Sequence, residues 1–484
     1  MKKTKILIFA FVLVAVFSSV ALAETAPKEK DKELTEGKWI ELSSRYEIPA
    51  TVGREMQKPT PELIASWWES FGDTTLTDLI KVSLYNNRDM VVARAKVKEA
   101  RATLGASKSK LFPWIDSSGT WGSVREPKNF GGTAKSETAY KLGIDASWEI
   151  DIFGGRRAEV DASVATLEAQ YASLHAAWVT LSSEVAITYM GLRTLQSQLE
   201  VAKQNLGLQM EMHDMLQSKY NSGLIDSLAL NQEKYTLEQT KASIPPIEAN
   251  IEQLKNALSV LTGMVPGSLE ETLKVRKDIP KANELTLVGI PAEALRQRPD
   301  LRVAERELHA QMARKRAAKA DLWPKFYLAG SIGTEGLTAG SLFNGPAKMY
   351  SWGPKISWPI FHWGAIKNNI KVQGAKEEQL LAIYEKTVLN AVAEVRNALT
   401  ENIRERERNE SLKRAVEASK VALAVANDKY KNGLTDFNSV IIAQKAALSL
   451  SNDLIVSEGA ISSNLVKVFK ALGGGWAPMA ENKQ

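Results

Sequence analysis

Lys219-Tyr220-Asn221-Ser222-Gly223-Leu224-Ile225-Asp226 returns as Lys429-Tyr430-Lys431-Asn432-Gly433-Leu434-Thr435-Asp436, about 210 residues further along a chain of 484. The same displacement, within one residue, carries Leu111-Phe112-Pro113 onto Leu322-Trp323-Pro324 and Trp148 onto Trp358. It also carries Arg88-Asp89-Met90 onto Pro299-Asp300-Leu301. These anchors share one register and mark an internal duplication. A duplicated chain of this length suits a ring or a symmetric wall better than a single catalytic cleft.

The residues before each repeated octapeptide read as long helices. From Val160, apolar residues step by four and three through Val164, Leu167, Tyr171, Leu174, Trp178, Leu181 and Val185. The seam continues through Leu192, Leu195, Leu199, Ala202 and Leu206 towards Leu216 and Tyr220. A 3.5-residue seam held over about sixty residues calls for a coiled-coil partner, and such a helix is roughly 90 Å long. The second copy, from Ile370 through Leu381, Tyr384, Val388, Val395, Leu412, Val416 and Leu423 to Tyr430, is looser and more charged. Gly223 and Gly433 suit the left-handed residue that closes a helix, so a return helix is expected after each. Pro245-Pro246 is expected to break the first return helix, because proline removes a donor and clashes with the preceding turn.

Between the helices the period changes to two. In residues 138–150, Tyr140, Leu142, Ile144, Ala146, Trp148 and Ile150 alternate with small or charged residues, the pattern of a membrane strand with a lipid face and a wet face. The equivalent second-copy stretch carries Pro354 and Pro359, yet Tyr350, Trp352, Ile356, Trp358 and Ile360 keep one parity. Residues 114–124 and 325–334 alternate more weakly. Each half therefore offers a hairpin of two strands. Four strands cannot close a barrel, and an open edge in lipid leaves backbone groups unsatisfied, so the pattern calls for oligomerisation; three copies give twelve strands. A soluble antiparallel sheet packed on helices is the alternative reading of the same pattern.

The first residues read as a secretory leader. Lys2, Lys3 and Lys5 precede an apolar run, and Ala21-Leu22-Ala23 offers a small-x-small cleavage site, so the mature chain is expected to start at Glu24. Residues 24–60 are polar and dotted with proline, an extended arm. A short helix is expected from Pro61, and a second from about Thr75, interrupted near Asn86-Asn87. The formal charge of +6 includes the three leader lysines, too mild an excess to argue for nucleic acid. No transmembrane helix is expected beyond the leader.

Several motifs then carry a specific likeness. Trp67-Trp68-Glu69-Ser70-Phe71-Gly72-Asp73, Trp148-Glu149-Ile150-Asp151-Ile152-Phe153-Gly154-Gly155-Arg156-Arg157 and Arg296-Gln297-Arg298-Pro299-Asp300-Leu301-Arg302 are three of them. Ser243-Ile244-Pro245-Pro246-Ile247-Glu248 and Lys470-Ala471-Leu472-Gly473-Gly474-Gly475-Trp476 complete the set. Together they resemble the TolC-like outer membrane factors, of the NodT type found in tripartite RND-type efflux systems. The resemblance implies an α+β membrane protein: a homotrimer with a twelve-stranded outer-membrane barrel and a long α-helical barrel in the periplasm of a Gram-negative bacterium. It implies as partners a periplasmic adaptor and an inner-membrane pump. The tips Gly223, Leu224, Gly433 and Leu434 are then the expected adaptor contacts.

Two departures from the family pattern stand out. The lipid-modified cysteine that many relatives carry after the leader is replaced by Glu24, and no lipidation is expected. At the constriction, the acidic residue a dozen positions after the tyrosine matching Tyr430 is replaced by Ile442, with Ser439 at another common acidic position. The gate candidates are therefore Tyr430, Asp436, Ser439 and Ile442, with Tyr220 and Asp226 in the first copy. One reading makes Ile442 an apolar plug held by polar bonds from Tyr430 and Asp436. The other makes Asp226 and Asp436 caps of the return helices. Both stay open at this point.

Catalytic chemistry finds no purchase. The sequence has no cysteine, no Gly-x-Ser-x-Gly, no Walker loop, and four histidines without zinc-site spacing. No enzyme activity and no cofactor are expected. Met210, Met212, His213 and Met215 offer soft donors for a Cu(I)-type ion, although methionines on a long helix are more often packing. The run Arg404-Glu405-Arg406-Glu407-Arg408 reads as a solvated helix face.

The organisation expected is a leader (1–23), an arm (24–60), a first repeat (61–290), a second repeat (291–476) and a tail (477–484). The first repeat holds a β-hairpin at about 113–152, a helical hairpin at about 156–262 and a linker at 263–290; the second holds them at about 324–362 and 364–472. The function expected is a passive export channel gated at the helical tips; the alternative is a soluble periplasmic coiled-coil scaffold without a pore.

Overall fold

The computed structural model of the protein describes residues 51–52, 65–125, 136–282, 290–291 and 295–475. The leader, all but two residues of the arm, residues 61–64, the loop 126–135, most of the linker after 282, and everything from Trp476 onward lie outside them. Within the stretch expected to start a short helix, Trp67–Phe71 form a 3-10 turn. Helices α1 (Thr74–Asn86) and α2 (Arg88–Ser109), strands β1 (Trp114–Arg125) and β2 (Ser136–Ile150), and helices α3 (Gly155–Asn221) and α4 (Ser227–Leu261) follow. After a short α5 (Glu270–Lys274) the pattern recurs as α6 (Pro299–Ala320), β3 (Lys325–Gly336), β4 (Lys348–Ser357), α7 (Ala365–Lys431) and α8 (Phe437–Ala471). Helices α3 and α7 each have 67 residues, and α4 and α8 each have 35. The duplication is thus kept to the residue in the long elements.

Contacts divide the chain into two units that cut across these halves. One takes residues 97–170 and 303–385; the other takes 47–96, 171–302 and 386–484.

In the first unit the two hairpins join through β2 and β3 into one antiparallel sheet, ordered β1-β2-β3-β4. Ala146 lies opposite Ile115 and Gly330, Ile144 opposite Ile332, and Ile332 opposite Tyr350. Because side chains alternate along a strand, this register collects Ile115, Trp121, Tyr140, Leu142, Ile144, Ile150, Phe326, Ile332, Tyr350, Trp352 and Ile356 on one face. The other face carries Asp116, Ser118, Lys141, Asp145, Ser331, Glu335 and Ser351. It is tied by Ser118–Asp145 at 3.3 Å, Ser331–Ser351 at 2.8 Å and Lys141–Glu335 at 3.9 Å. The apolar face is uncovered, with Ile332, Tyr350 and Trp352 all exposed. An apolar surface of this extent is unfavourable in water. The outer edges of β1 and β4 have no strand partner among the described residues.

Both hairpins are pinned at the same place. The Trp148 indole donates to the Leu111 carbonyl at 2.8 Å, and the Trp358 indole to the Leu322 carbonyl at 3.2 Å. In this unit the buried stripe on α3 is Ala158-Ala162-Ala165-Ala169, while Val164 and Leu167 of the expected seam are half-buried beside it. Helix α6 carries buried alanines of its own (Ala310, Ala313, Ala318). Arg306–Glu168 at 3.0 Å and Arg316–Asp161 at 3.3 Å bridge the two helices.

In the second unit Trp67 is fully buried and stacks on Phe469 with ring centroids 5.5 Å apart. Leu76, Ile80, Val185, Tyr189, Leu192, Leu258 and Val466 build the core around it. The duplication also shows where each return helix ends. The Asn87 amide donates to the Leu261 carbonyl at 2.9 Å, and the Arg298 guanidinium to the Ala471 carbonyl at 2.6 Å. Gly263 and Gly473 close these helices at φ 73° and 72°. A Cβ on Gly263 would sit 2.5 Å from the Asn86 carbonyl oxygen, so glycine is required there. Arg298 also pairs with Asp300 and Glu394, each at 2.7 Å.

One sequence expectation is corrected. Helix α4 runs unbroken through Pro245 and Pro246. Each proline removes one donor, but its φ is helical, and buried Ile244 and Ile251 hold the helix to its neighbours on both sides of the pair. Helix α8 is long and apolar enough by composition to cross a membrane. It nonetheless packs on other helices of the chain: closely on α4, and on α7 through Asn409–Ser457 at 3.2 Å, Asn402 to the Ile461 carbonyl at 3.4 Å, and Lys467–Glu401 at 3.0 Å.

Candidate functional site

The two hairpin tips lie in the second unit and are built alike. Gly223 has φ 70°, the Leu224 N–H donates to the Lys219 carbonyl at 2.9 Å, and the Gly223 N–H donates to the Tyr220 carbonyl at 2.9 Å. At the other tip Gly433 has φ 72°, with Leu434 to Lys429 at 2.8 Å and Gly433 to Tyr430 at 3.0 Å. This paired pattern satisfies the last carbonyls of α3 and α7 and needs a residue without Cβ at the left-handed position. Leu224 and Leu434 follow, 73% and 74% exposed. Two large aliphatic side chains are thus presented outward at matching points.

Asp226 accepts from the N–H groups of Leu228 (3.0 Å) and Ala229 (3.4 Å), and so caps α4. Asp436 accepts from the Ser439 hydroxyl at 2.8 Å and the Ser439 N–H at 3.0 Å, capping α8. These bonds, the hydroxyl first, hold its carboxyl below the usual carboxylate range. Within one chain the capping reading of both aspartates is the one the geometry displays, and Ser439 belongs to the cap.

Tyr430 makes no hydrogen bond through its buried hydroxyl. The Lys219 ammonium instead lies over its ring, 5.1 Å from the centroid, and the Phe437 ring is 5.2 Å away. Desolvation raises its pKa. Beneath it, Leu216, Phe437, Val440 and Ile441 form a small buried core, joined by Met212, Ile225, Ala229, Leu230 and Ala426. All four long helices contribute to it. Ile442 and Tyr220 point outward and are exposed.

The soft-donor cluster is split: Met212 packs into the tip core while Met210 is half-exposed, and His213 and Met215 are half-buried. Among the described residues no three His, Cys, Asp or Glu side chains group as a metal site. The charge run is an exposed face with Arg404–Glu407 at 2.8 Å and Arg408–Glu405 at 2.9 Å.

Sequence reasoning missed Glu233. It lies on the same face of α4 as Ala229 and Leu230, is fully buried, and neither carboxylate oxygen has a hydrogen-bond partner. Burial pushes its pKa up to about 7. Its spacing from Ala229, Leu230 and Leu237 was the available signal. Lys219 was also passed over, since a lysine in the last turn reads as solvated.

A family model described as outer membrane efflux protein matches the chain twice, over residues 79–264 and 290–474, in the register of the repeat. The cation efflux system protein CusC of Escherichia coli O6:H1 is 29% identical over 418 residues, covering 85% of this chain and 88% of its own length. The solvent efflux pump outer membrane protein SrpC of Pseudomonas putida is 29% identical over 422 residues, covering 84% and 87%. The solved outer-membrane channel OprN superposes with a TM-score of 0.80 at 32% identity, covering 88% of this chain and 99% of that one. None of these supports a soluble scaffold. The two matches of the family model take in most of the chain, and the protein belongs to the outer membrane efflux protein family.

Proposed function

We propose that the protein is the outer-membrane duct of a tripartite export system, in which three copies join their sheets edge to edge and their helical hairpins line a pore through the periplasm. The sheet carries this reading: four strands, one apolar face, and outer edges on β1 and β4 without a strand partner among the described residues. In hydrocarbon each unsatisfied backbone group costs several kcal/mol. Three copies supply twelve strands, an even number in the range of closed membrane barrels.

The duct performs no chemistry. An inner-membrane RND-type pump supplies energy, and a periplasmic adaptor meets the tips at Leu224 and Leu434. Ile442 narrows the closed pore with apolar side chains, and the Tyr430 region holds the hairpins together until the adaptor moves them. One relative is named for cation efflux and another for solvent efflux, which supports leaving the choice of cargo to the pump. Fractionation tests the reading: the protein stays with the outer membrane through a high-salt wash and has three times the chain mass in detergent. A soluble monomer contradicts it. A growth panel on a deletion strain then separates metal cargo (copper, silver) from lipophilic cargo.

A further inference from the structure

The first turns of α8 carry a single charge. Residues 437–452 hold Lys445 and no other charged side chain, whereas the equivalent residues 227–242 of α4 hold Glu233, Lys234, Glu238 and Lys241. Phe437, Val440, Ile441 and Ala447 are buried, while Asn438, Ile442, Lys445, Ala446 and Ser449 are exposed. The exposed positions recur at steps of three and four, so they form one stripe along the helix. Lys445 lies on that stripe one turn beyond Ile442.

No carboxylate neutralises this lysine. Its ammonium lies 5.3 Å from the centroid of the Tyr235 ring and forms no ion pair among the described residues. Tyr235 is its equivalent in the first half, 210 positions earlier, and the close packing of α4 on α8 brings the two together. The acids on these two helices are otherwise engaged or set apart. Glu238, one turn from Tyr235, pairs with Lys241 at 2.8 Å. Asp436 is held by the α8 cap, and Asp453 is half-buried about two turns further on.

We propose that Lys445 is the charge filter of the closed duct: three copies place three ammonium groups one turn behind Ile442, and the narrow pore passes small anions ahead of small cations. The proposal rests on the duct reading above. A ring of like charges sets the sign of the ion that a narrow pore admits, and lysine favours anions. The effect is strongest at a constriction, where little water remains to screen the charge. Asn438, Ile442, Ala446 and Ser449 on the same stripe supply no charge to offset it. Pressed against another copy without a carboxylate, the ammonium would lose its water uncompensated. In a water-filled pore it keeps that water, and the face of Tyr235 holds it at the wall.

Reversal potentials test the filter. Purified full-length protein is incorporated into planar bilayers of uncharged phosphatidylcholine, with potassium chloride more concentrated on one side. The wild-type current is expected to reverse on the chloride side of zero, and Lys445→Arg to do the same. Lys445→Gln is expected to move the potential towards zero, and Lys445→Glu to carry it across to the potassium side. Detergent mass shows whether each variant still assembles. A wild-type potential on the potassium side, or one that Lys445→Gln leaves unmoved, overturns the filter while the duct reading stands. Loss of assembly in Lys445→Gln places the ammonium in a contact between copies and overturns it too. Bilayers silent for the wild type and every variant, with protein shown to be incorporated, overturn the duct reading together with it.

Discussion

The Lys219 ammonium lies 5.1 Å from the centroid of the Tyr430 ring, joining the last turn of α3 to that of α7 in one chain. The two helices belong to different halves of the duplication, so this contact ties one hairpin to the other at the tips. A cation over an aromatic face contributes about 0.5–1 kcal/mol where it is exposed. Lys219→Ala is expected to loosen the closed tips and raise entry of large hydrophilic antibiotics. Adding Tyr430→Ala should give less than the sum of the single effects. Fully additive effects in normally assembled protein would show the contact to be incidental.

Leu224 and Leu434 are presented by glycine-closed turns and have nothing over them in a single chain. Leu434→Asp is expected to abolish export and leave assembly intact, because the substitution touches no buried contact. Drug or metal susceptibility measured beside the detergent mass checks both halves. Wild-type export from this variant would refute the docking role.

Ile442 is exposed on α8 within two turns of the Asp436 cap. Ile442→Gly is expected to open the closed pore and sensitise cells to large antibiotics. Unchanged uptake with intact assembly counts against the apolar constriction.

Glu233 links the tip to pH. Its pKa in the folded protein is about 7 against a usual 4.5, so the folded state binds the extra proton between those values. Stability of the hairpin therefore falls as pH rises from about 4.5 to 7, by up to about 3 kcal/mol, and is flat above that. Glu233→Gln is expected to remove this slope and to stabilise the tip at pH 8. Hydrogen exchange of tip amides, corrected for intrinsic rates, measures it; a wild-type profile flat between pH 5 and 8 contradicts the assignment.

Much of this architecture was legible because its signals are local and occur twice. Trp148 and Trp358, in register by sequence, make the same indole bond, and Gly223 and Gly433 have the φ values their positions suggested. The strands followed parity, and their pairing placed Ile144, Ile332 and Tyr350 side by side. What was not legible depended on neighbours. The heptad rule favoured Val164 and Leu167, but the neighbouring α2 and α6, tied to this stretch by Ser107–Ser163 and Arg316–Asp161, leave Ala162 and Ala165 as the buried residues instead. Proline chemistry argued for a break at Pro245-Pro246, yet packing on both sides carried the helix through. At the tips, the sequence left Asp226 and Asp436 between capping and gating. Hydrogen bonds to Leu228 and Ser439 display the caps, while Tyr430 finds Lys219, distant in sequence and unmarked by any motif.

The central claim is that copies of this chain enclose a pore held nearly shut at its tips. Planar-bilayer conductance of the purified full-length protein, wild type beside Ile442→Gly, tests it most directly. Small, brief current steps from the wild type and larger, longer ones from the variant are predicted. A silent bilayer from both, with protein shown to be incorporated, would contradict it.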